Sequence, residues 1–372
     1  MGVSGTPRVL QVVLGLDPGG TERLVIELVK RLTPHIPMAV CCLDTAGAWA
    51  EELTEQGIRV AALGRGSGFR PALGRAVAVH ARAHRATLLH CHHYSPFVYG
   101  CLARLWRPNT RIVFTEHGRL SDAPPSPKRR LANRMLSRIP DAVLTVSGDL
   151  RRHLLAEGFP PRRVEVIYNG IDVGPPPTAA LRCLVRQELG VMDGTLVVGT
   201  IARLDPVKDL GVVIAGIAEI AGAIPVHAVI IGDGPERTRL EALAAATGVA
   251  RHMTFLGHRG DARRWLAGCD VFVNTSISEG VSLTILEAMA AGLPVIATAV
   301  GGTPEIVDTG CGLPIPARSP QALSEALRTL AARPDLRSQL GAAARARVEA
   351  RFTLDRMVRE YHDVYRSVSP IF

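Results

Sequence analysis

Two kinds of hydrophobic spacing alternate along the chain. Short, nearly unbroken apolar runs, the first at 8–15, fit strands buried on both faces, while longer stretches with an apolar residue every third or fourth position fit the helices that cover them. Strand 8–15 turns through Asp17-Pro-Gly-Gly20 into a helix at 21–32, and the rhythm continues with a strand at 38–43, a helix at 48–56 and a strand at 59–63. Further strands are predicted at 87–91, 111–118, 141–147 and 164–172. Gly174-Pro-Pro-Pro177 then interrupts the pattern; consecutive prolines favour an extended, semi-rigid segment and suit a domain boundary. The rhythm restarts with strands at 196–203, 227–232, 252–258, 270–276 and 295–299, a helix at 283–291 and a final amphipathic run at 354–368. Strands and helices in alternation give parallel sheets covered on both faces, so an α/β protein with two such domains is expected.

Composition agrees and adds limits. The 372 residues suffice for two domains of ordinary size, and a 47% hydrophobic share with few aromatics is that of a globular chain. No apolar stretch approaches the ~20 residues that span a bilayer, and the run at 9–16 is too short for a secretory leader, which predicts a cytoplasmic protein. The seven cysteines contain no C-x-x-C pair and no zinc-like spacing to histidines, so buried free thiols are expected.

The net charge of +9 is one-sided. Residues 1–173 carry 23 Lys and Arg against 14 Asp and Glu, whereas residues 174–372 carry 20 of each. A basic first half suggests an anionic partner, such as membrane headgroups or a phosphorylated lipid carrier. Nucleic acid fits least, because no helix-turn-helix, zinc finger or aromatic platform accompanies the charge. Ser126-Pro127 carries cap and N1 signals for a helix in which Arg130, Arg134 and Arg138 recur at i, i+4 and i+8 beside Leu131, Met135 and Leu136. It reads either as a surface helix packed on its own sheet with solvated arginines, or as a peripheral contact with the inner face of the cytoplasmic membrane.

The chemistry concentrates at 279–298. Glu279 and Gly280 sit in a loop, Ser282 is placed as an N-cap, and the helix that follows carries Glu287 and is closed by Gly292 and Pro294. A helix start offers unpaired N–H groups and a positive dipole end to an anionic phosphate. Ionised carboxylates only accept hydrogen bonds, so Glu279 and Glu287 suit the hydroxyl pairs of a sugar, and the combination suggests a nucleotide sugar. Arg203 and Lys208, at the C-terminal end of strand 196–203, are the cations that a departing diphosphate needs. Gly19 and Gly20 let backbone approach a substrate or simply form a tight turn. His117 and Gly118 close strand 111–118 at the end where ligands bind in open α/β sheets; His90, His92 and His93 close another and are acceptor-contact candidates.

The E-x7-E spacing of Glu279 and Glu287, continued by Ala-Met-Ala-Ala-Gly-Leu-Pro and Gly301-Gly302-Thr303-Pro304-Glu305, resembles the signature of glycosyltransferase family 4. Glu279-Gly-Val-Ser and Val207-Lys208-Asp209 resemble in addition the branch associated with bacterial exopolysaccharide and exosortase systems. The resemblance covers nearly the whole chain. It implies the GT-B fold: an acceptor-binding Rossmann-like domain at 1–173, a nucleotide-sugar domain at 174–353 facing it across a cleft, and a C-terminal helix at 354–372 returning to the first. It implies a retaining transfer from a nucleotide-diphosphate sugar, UDP ahead of GDP, to an acceptor hydroxyl, in cell-surface polysaccharide or glycolipid synthesis on a lipid-linked saccharide. His117, Arg203, Lys208 and Glu279 would be catalytic. Gly19, Gly20, Leu256, Gly280, Val281, Ser282, Leu283 and Glu287 would join Arg203, Lys208 and Glu279 around the donor, with His117 a hydrogen-bond donor or polar orienting group beside the reacting sugar and Leu256 to His258 bordering the nucleobase.

The chain contains no D-x-D, so no metal or other cofactor is expected, and Arg203, Lys208 and the helix start at Ser282 would supply the electrostatics. Competing readings are a small-molecule acceptor such as an antibiotic or aminosugar, a GT-B nucleotide-sugar epimerase, and a non-catalytic nucleotide-sugar-binding membrane scaffold.

Overall fold

The computed structural model describes residues 6–119 and 127–369. Ser126, predicted as a helix cap, lies outside the described residues. The chain folds into two units, Met1–Asn169 with Asp355–Phe372, and Gly170–Leu354.

Unit 1 is built on seven parallel strands, β1 (Val9–Val13), β2 (Met38–Cys42), β3 (Arg59–Ala62), β4 (Leu88–His92), β5 (Arg111–Glu116), β6 (Ala142–Thr145) and β7 (Val164–Val166), in the order β3-β2-β1-β4-β5-β6-β7. The order reverses between β1 and β4, whose register pairs Gln11 with His90. Every residue of β1, β2 and β4 is buried, as expected of central strands covered on both faces. Phe97, from the helix Tyr94–Ala103, stacks on Phe114 of β5 with ring centroids 4.4 Å apart, and Phe159 packs beside both. Helix Gly148–Ala156 is capped by Ser147, whose Oγ accepts from the Leu150 N–H at 3.1 Å, a cap worth ~1 kcal/mol.

Unit 2 holds six parallel strands, β8 (Leu196–Ile201), β9 (Val226–Ile231), β10 (Met253–Gly257), β11 (Val271–Asn274), β12 (Val295–Thr298) and β13 (Gly312–Ile315), in the order β10-β9-β8-β11-β12-β13. Here the order reverses between β8 and β11. Its core joins the inner faces of these strands to Ile214 and Ile217 of the helix Gly211–Ala218 and to Leu323, Leu327 and Leu330 of the helix Pro320–Ala332. β13 and the helix Ala179–Glu188 are additions to the predicted elements.

The chain passes between units at 169/170 and 354/355, four residues before the predicted boundary at 173/174 and one after the predicted 353/354. Backbone pairing explains the difference. Ile171 bridges Thr353, its N–H donates to Phe352 O at 3.0 Å, and Leu354 N–H donates to Ile171 O at 2.8 Å. A Cβ on Gly170 would meet Thr353 O at 2.3 Å, so only glycine allows this approach. The three prolines therefore lie inside unit 2. Of the seven cysteines, all free, six are buried as expected; Cys183 is exposed. Among the described residues no helix is long and apolar enough to cross a membrane.

Candidate functional site

In unit 2 the loops after β8 and β11, the strands flanking the reversal, are stitched together. Thr275 Oγ1 donates to the carbonyls of Lys208 (2.9 Å) and Asp209 (3.1 Å), and Ile277 N–H donates to Val207 O at 2.9 Å. Asp209 takes up a left-handed conformation, φ 47°, to end the short 3₁₀ turn Pro206–Lys208. These bonds carry Lys208 Nζ to within 2.5 Å of Glu279 Oε1, and the same oxygen accepts from Ser276 Oγ at 2.7 Å with Asn274 Nδ2 3.5 Å away. The Glu279 side chain is only 10% exposed and that of Lys208 23%, so the pair is largely desolvated. Removing one partner would strand a charge, at a cost of several kcal/mol.

The other side of the Glu279 loop rests on Gly301 and Gly302. Gly302 N–H donates to Glu279 O at 3.1 Å, and a Cβ on Gly301, whose φ is 53°, would sit 1.9 Å from that oxygen. The Gly-Gly step thus holds the backbone of the carboxylate that Lys208 and Ser276 hold by its side chain. Ser282 occupies the N-cap position of the helix Leu283–Ala290 but makes no cap bond; its hydroxyl meets Thr284 Oγ1 at 3.1 Å. Val281 and Ser282 are buried, Gly280 and Leu283 half-buried, and Glu287 lies half-buried one turn into the helix. Arg203 departs from expectation: its side chain is 71% exposed and paired with Asp205 rather than fixed in the crevice. Leu256 is the residue that the β9–β10 ladder skips between Phe255 and Gly257, a bulge of the kind that re-aims a strand end.

In unit 1 the corresponding reversal carries histidines and, among the described residues, no lysine–carboxylate pair. The chain of contacts runs from Tyr365, on the helix Leu354–Val368, whose OH lies 2.6 Å from His90 Nδ1 and accepts from Gln11 Nε2 at 3.1 Å. Gln11 Oε1 lies 2.8 Å from His92 Nε2, and His92 Nδ1 lies 2.9 Å from His117 Nε2. Gln11, His90, His92 and Tyr365 are all buried. Burial, reinforced by the neighbouring histidines, pulls the pKa of His90, His92 and His117 well below 6.5, so all three rings are neutral. Beside them His93 is held at φ 73°, an uncommon conformation for a residue with a side chain, and with the backbone N–H of His117 it shares the Glu116 carboxylate at 3.1 Å. Gly19 and Gly20 begin the helix after β1, Gly19 as N-cap in extended conformation.

The chemistry of the two places differs. One offers a cation, carboxylates and a helix start; the other offers neutral, oriented hydrogen-bonding rings. Among the described residues no group of three or more His, Cys, Asp or Glu is placed to hold a metal ion.

Residues 18–174 match the family described as Glycosyltransferase Family 4, and residues 195–333 match that described as Glycosyl transferases group 1. The GDP-mannose-dependent monoacylated alpha-(1-6)-phosphatidylinositol monomannoside mannosyltransferase of Corynebacterium glutamicum is 31% identical over 271 residues, 69% of this chain and 70% of that protein. The chain belongs to glycosyltransferase family 4. A second family relative, the D-inositol 3-phosphate glycosyltransferase of Streptomyces scabiei, is 29% identical over 246 residues, and the match spans 62% of this chain but only 54% of that protein. Among solved structures, Anabaena Alr3699/HepE in complex with UDP is similar at a TM-score of 0.85 and 24% identity, covering 97% of this chain and all of that one. The family 4 chain is therefore a glycosyltransferase with two GT-B Rossmann-like domains.

Sequence reasoning missed the groups that hold the family motif in place. Asn274 and Ser276 sit on alternate positions leaving β11, and polar residues at that spacing at the end of a buried strand were the available signal. Gln11, a polar residue in an otherwise apolar buried strand, was the signal for the histidine network. Tyr365 offered none, because a tyrosine on the apolar stripe of a helix reads as core.

Proposed function

We propose that the chain transfers a sugar, with retention of configuration, from a nucleotide-diphosphate sugar to an acceptor hydroxyl on a lipid-linked or glycolipid substrate of cell-surface polysaccharide synthesis. The observation that carries this reading is the Lys208–Glu279 pair, held by Ser276 and Asn274 at the strand-order reversal of unit 2 and followed at once by a helix start. In this reading Lys208, with Arg203 swung in from the surface, meets the leaving diphosphate as charge builds on it. The backbone of Gly280, Val281, Ser282 and Leu283 binds phosphate, Glu287 the ribose hydroxyls, Glu279 the transferred sugar, and the Leu256 bulge borders the base. On unit 1, His117 takes a substrate hydroxyl and Gly19 and Gly20 give it room. The departing phosphate oxygen accepts the acceptor's proton on the same face, and no metal takes part.

The relatives divide over the base. The Corynebacterium enzyme is named for GDP-mannose, and the Anabaena structure holds UDP, which supports the expectation of UDP. Thermal stabilisation and donor hydrolysis across UDP- and GDP-sugars test the reading, since a bound ligand raises the melting temperature by mass action. Stabilisation by neither UDP nor GDP would overturn it.

A membrane-bound acceptor is supported by the helix Pro127–Leu136 and the residues it leaves exposed. Its inner face joins Leu136, packed on the core of unit 1, to polar contacts: Asn133 is fully buried, donates to Glu157 O at 3.0 Å and accepts from Tyr94 OH at 2.6 Å, while Arg129 pairs with Glu157 at 2.9 Å. Its outer face shows Leu131 (63% exposed) and Met135 (66%) beside the exposed Arg130 and Arg134, and Arg138 is exposed in the turn that follows. Apolar residues ringed by arginines fit an anionic bilayer surface. The protein should sediment with vesicles containing acidic lipid and be released by salt, and changing the three arginines to Glu should weaken that association. Equal sedimentation with neutral vesicles would leave a soluble acceptor as the better reading.

A further inference from the structure

The contacts around His117 also assign its proton. The polarity of the network starts at Gln11: its amide nitrogen faces the Tyr365 hydroxyl at 3.1 Å, which can accept or donate, and the Met38 sulfur at 3.9 Å, which has no proton and can only accept. Its carbonyl oxygen therefore faces His92 Nε2, 2.8 Å away, and can only accept. Each following direction is then forced, because a neutral imidazole has one N–H and one lone pair. His92 spends its proton on Gln11 through Nε2, which leaves Nδ1 as a lone pair, and the only proton that can fill the 2.9 Å contact with His117 is the one on His117 Nε2. Tyr365 has accepted from Gln11 and donates onward to His90 Nδ1, and His90 Nε2–H donates to Thr115 Oγ1 at 2.8 Å.

The end of this chain is His117 Nδ1. It is buried and has no hydrogen-bond partner among the described residues, although part of the residue is open to solvent. The reversed polarity, with the Gln11 amide turned over, would put a proton there and leave a buried N–H without an acceptor. Orphaned donors are rarer in folded proteins than under-used acceptors. We infer that Gln11 and His92 are positioning residues that hold His117 as the Nε2–H tautomer, so that its Nδ1 accepts a hydrogen bond from a substrate hydroxyl and does not donate one. Of the two roles expected for His117 from the sequence, hydrogen-bond donor or polar orienting group, the first is thereby reversed. The inference rests on the reading above that His117 meets the substrate, and Tyr365 makes the C-terminal helix part of the device.

The test uses the full chain with histidine labelled by ¹⁵N at both ring nitrogens. Long-range proton–nitrogen correlation of the wild type should show His117 with protonated Nε2 and unprotonated Nδ1, and a neutron crystal structure reads the same proton without any variant. A protonated Nδ1 overturns the inference. Gln11→Leu, or Tyr365→Phe should the first fail to fold, releases the polarity. Either should shift the His117 ring nitrogens toward a tautomer mixture and lower kcat roughly tenfold, the scale of outer-shell orienting contacts, with nucleotide-diphosphate affinity unchanged. A His117 signal that stays put in both variants removes Gln11 as the cause. If the tautomer is as stated but His117→Ala keeps full turnover, the failure belongs to the assignment of His117 to the substrate and not to the hydrogen-bond chain.

Discussion

The two units share a device and use opposite chemistry in it. Each is a parallel sheet whose strand order reverses once, and each gathers its polar residues at the carboxyl ends of the strands beside that reversal. Unit 2 puts an ammonium and a carboxylate there, Lys208 and Glu279, and unit 1 puts neutral rings there, His90, His92 and His117. The overall charges run the other way. Unit 1 carries 26 Lys and Arg against 16 Asp and Glu, a net +10, and unit 2 carries 17 against 18, a net −1. Unit 1 thus keeps its positive charge on its outside, as on the helix Pro127–Leu136, and gathers histidine rings around the buried Glu116 carboxylate at its strand ends. Net charge says what a unit is attracted to; the placement of the few desolvated groups says what it can do.

The largest break in this comparison is expected from Lys208→Ala. It removes the one fixed cation of the unit 2 site and strands Glu279, so turnover should fall ~10²-fold or more while nucleotide-diphosphate affinity falls much less. Steady-state rates with calorimetry check it, and an equal loss in both would make Lys208 a binding residue. Arg203→Ala should cost less, since Arg203 is exposed and paired with Asp205.

The next effect separates the carboxylates. Glu287→Gln should raise the donor KM and weaken nucleotide diphosphate, whereas Glu279→Gln should leave that affinity nearly intact and reduce turnover and discrimination between donor sugars. Equal losses of nucleotide affinity in the two variants would contradict the assignment of sugar to one and ribose to the other.

Acid should sharpen the contrast between the units. His84, His90, His92 and His117 of unit 1 are shifted below 6.5, chiefly by burial, as is His227 in unit 2. A histidine whose folded pKa is depressed binds more protons when unfolded, so its contribution is complete above about pH 6.5 and is lost as pH falls toward the folded value. The slope is up to ~1.4 kcal/mol per pH unit for each fully buried ring. Amide exchange from about pH 7.5 to about pH 5.5, corrected for its intrinsic pH dependence, should show β1, β4 and β5 losing protection ahead of β8 and β11. Parallel loss in both sheets would refute it.

The smallest effects are expected from Ser276→Ala and Asn274→Ala. Glu279 keeps Lys208 in either variant, so turnover should fall roughly tenfold with little change in melting temperature. A drop as deep as that of Lys208→Ala would mean that the two residues do more than orient the carboxylate.

What the sequence by itself determined was everything that rests on local periodicity and on residues close in the chain: the alternation of strand and helix, the two-unit organisation, and the Glu279 to Glu287 loop and helix. Local backbone preference and hydrophobic spacing are written into short segments, so they survive translation to one dimension. Tertiary structure decided which of the marked residues meet. Lys208 and Glu279, 71 residues apart, are joined because β8 and β11 are neighbours in the sheet. Gly170 belongs to unit 2 because its backbone lies against Thr353. Leu131 and Met135 face outward because Asn133 and Arg129 find Glu157 and Tyr94 on the inside, which leaves only Leu136 of the three apolar residues of that helix packed on the core. The proton of His117 is set by a glutamine more than a hundred positions earlier and a tyrosine on the last helix. Hydrogen bonds and ion pairs act over about 3 Å and ignore distance along the chain, so a group that orients a reactive residue need leave no mark beside it in the sequence.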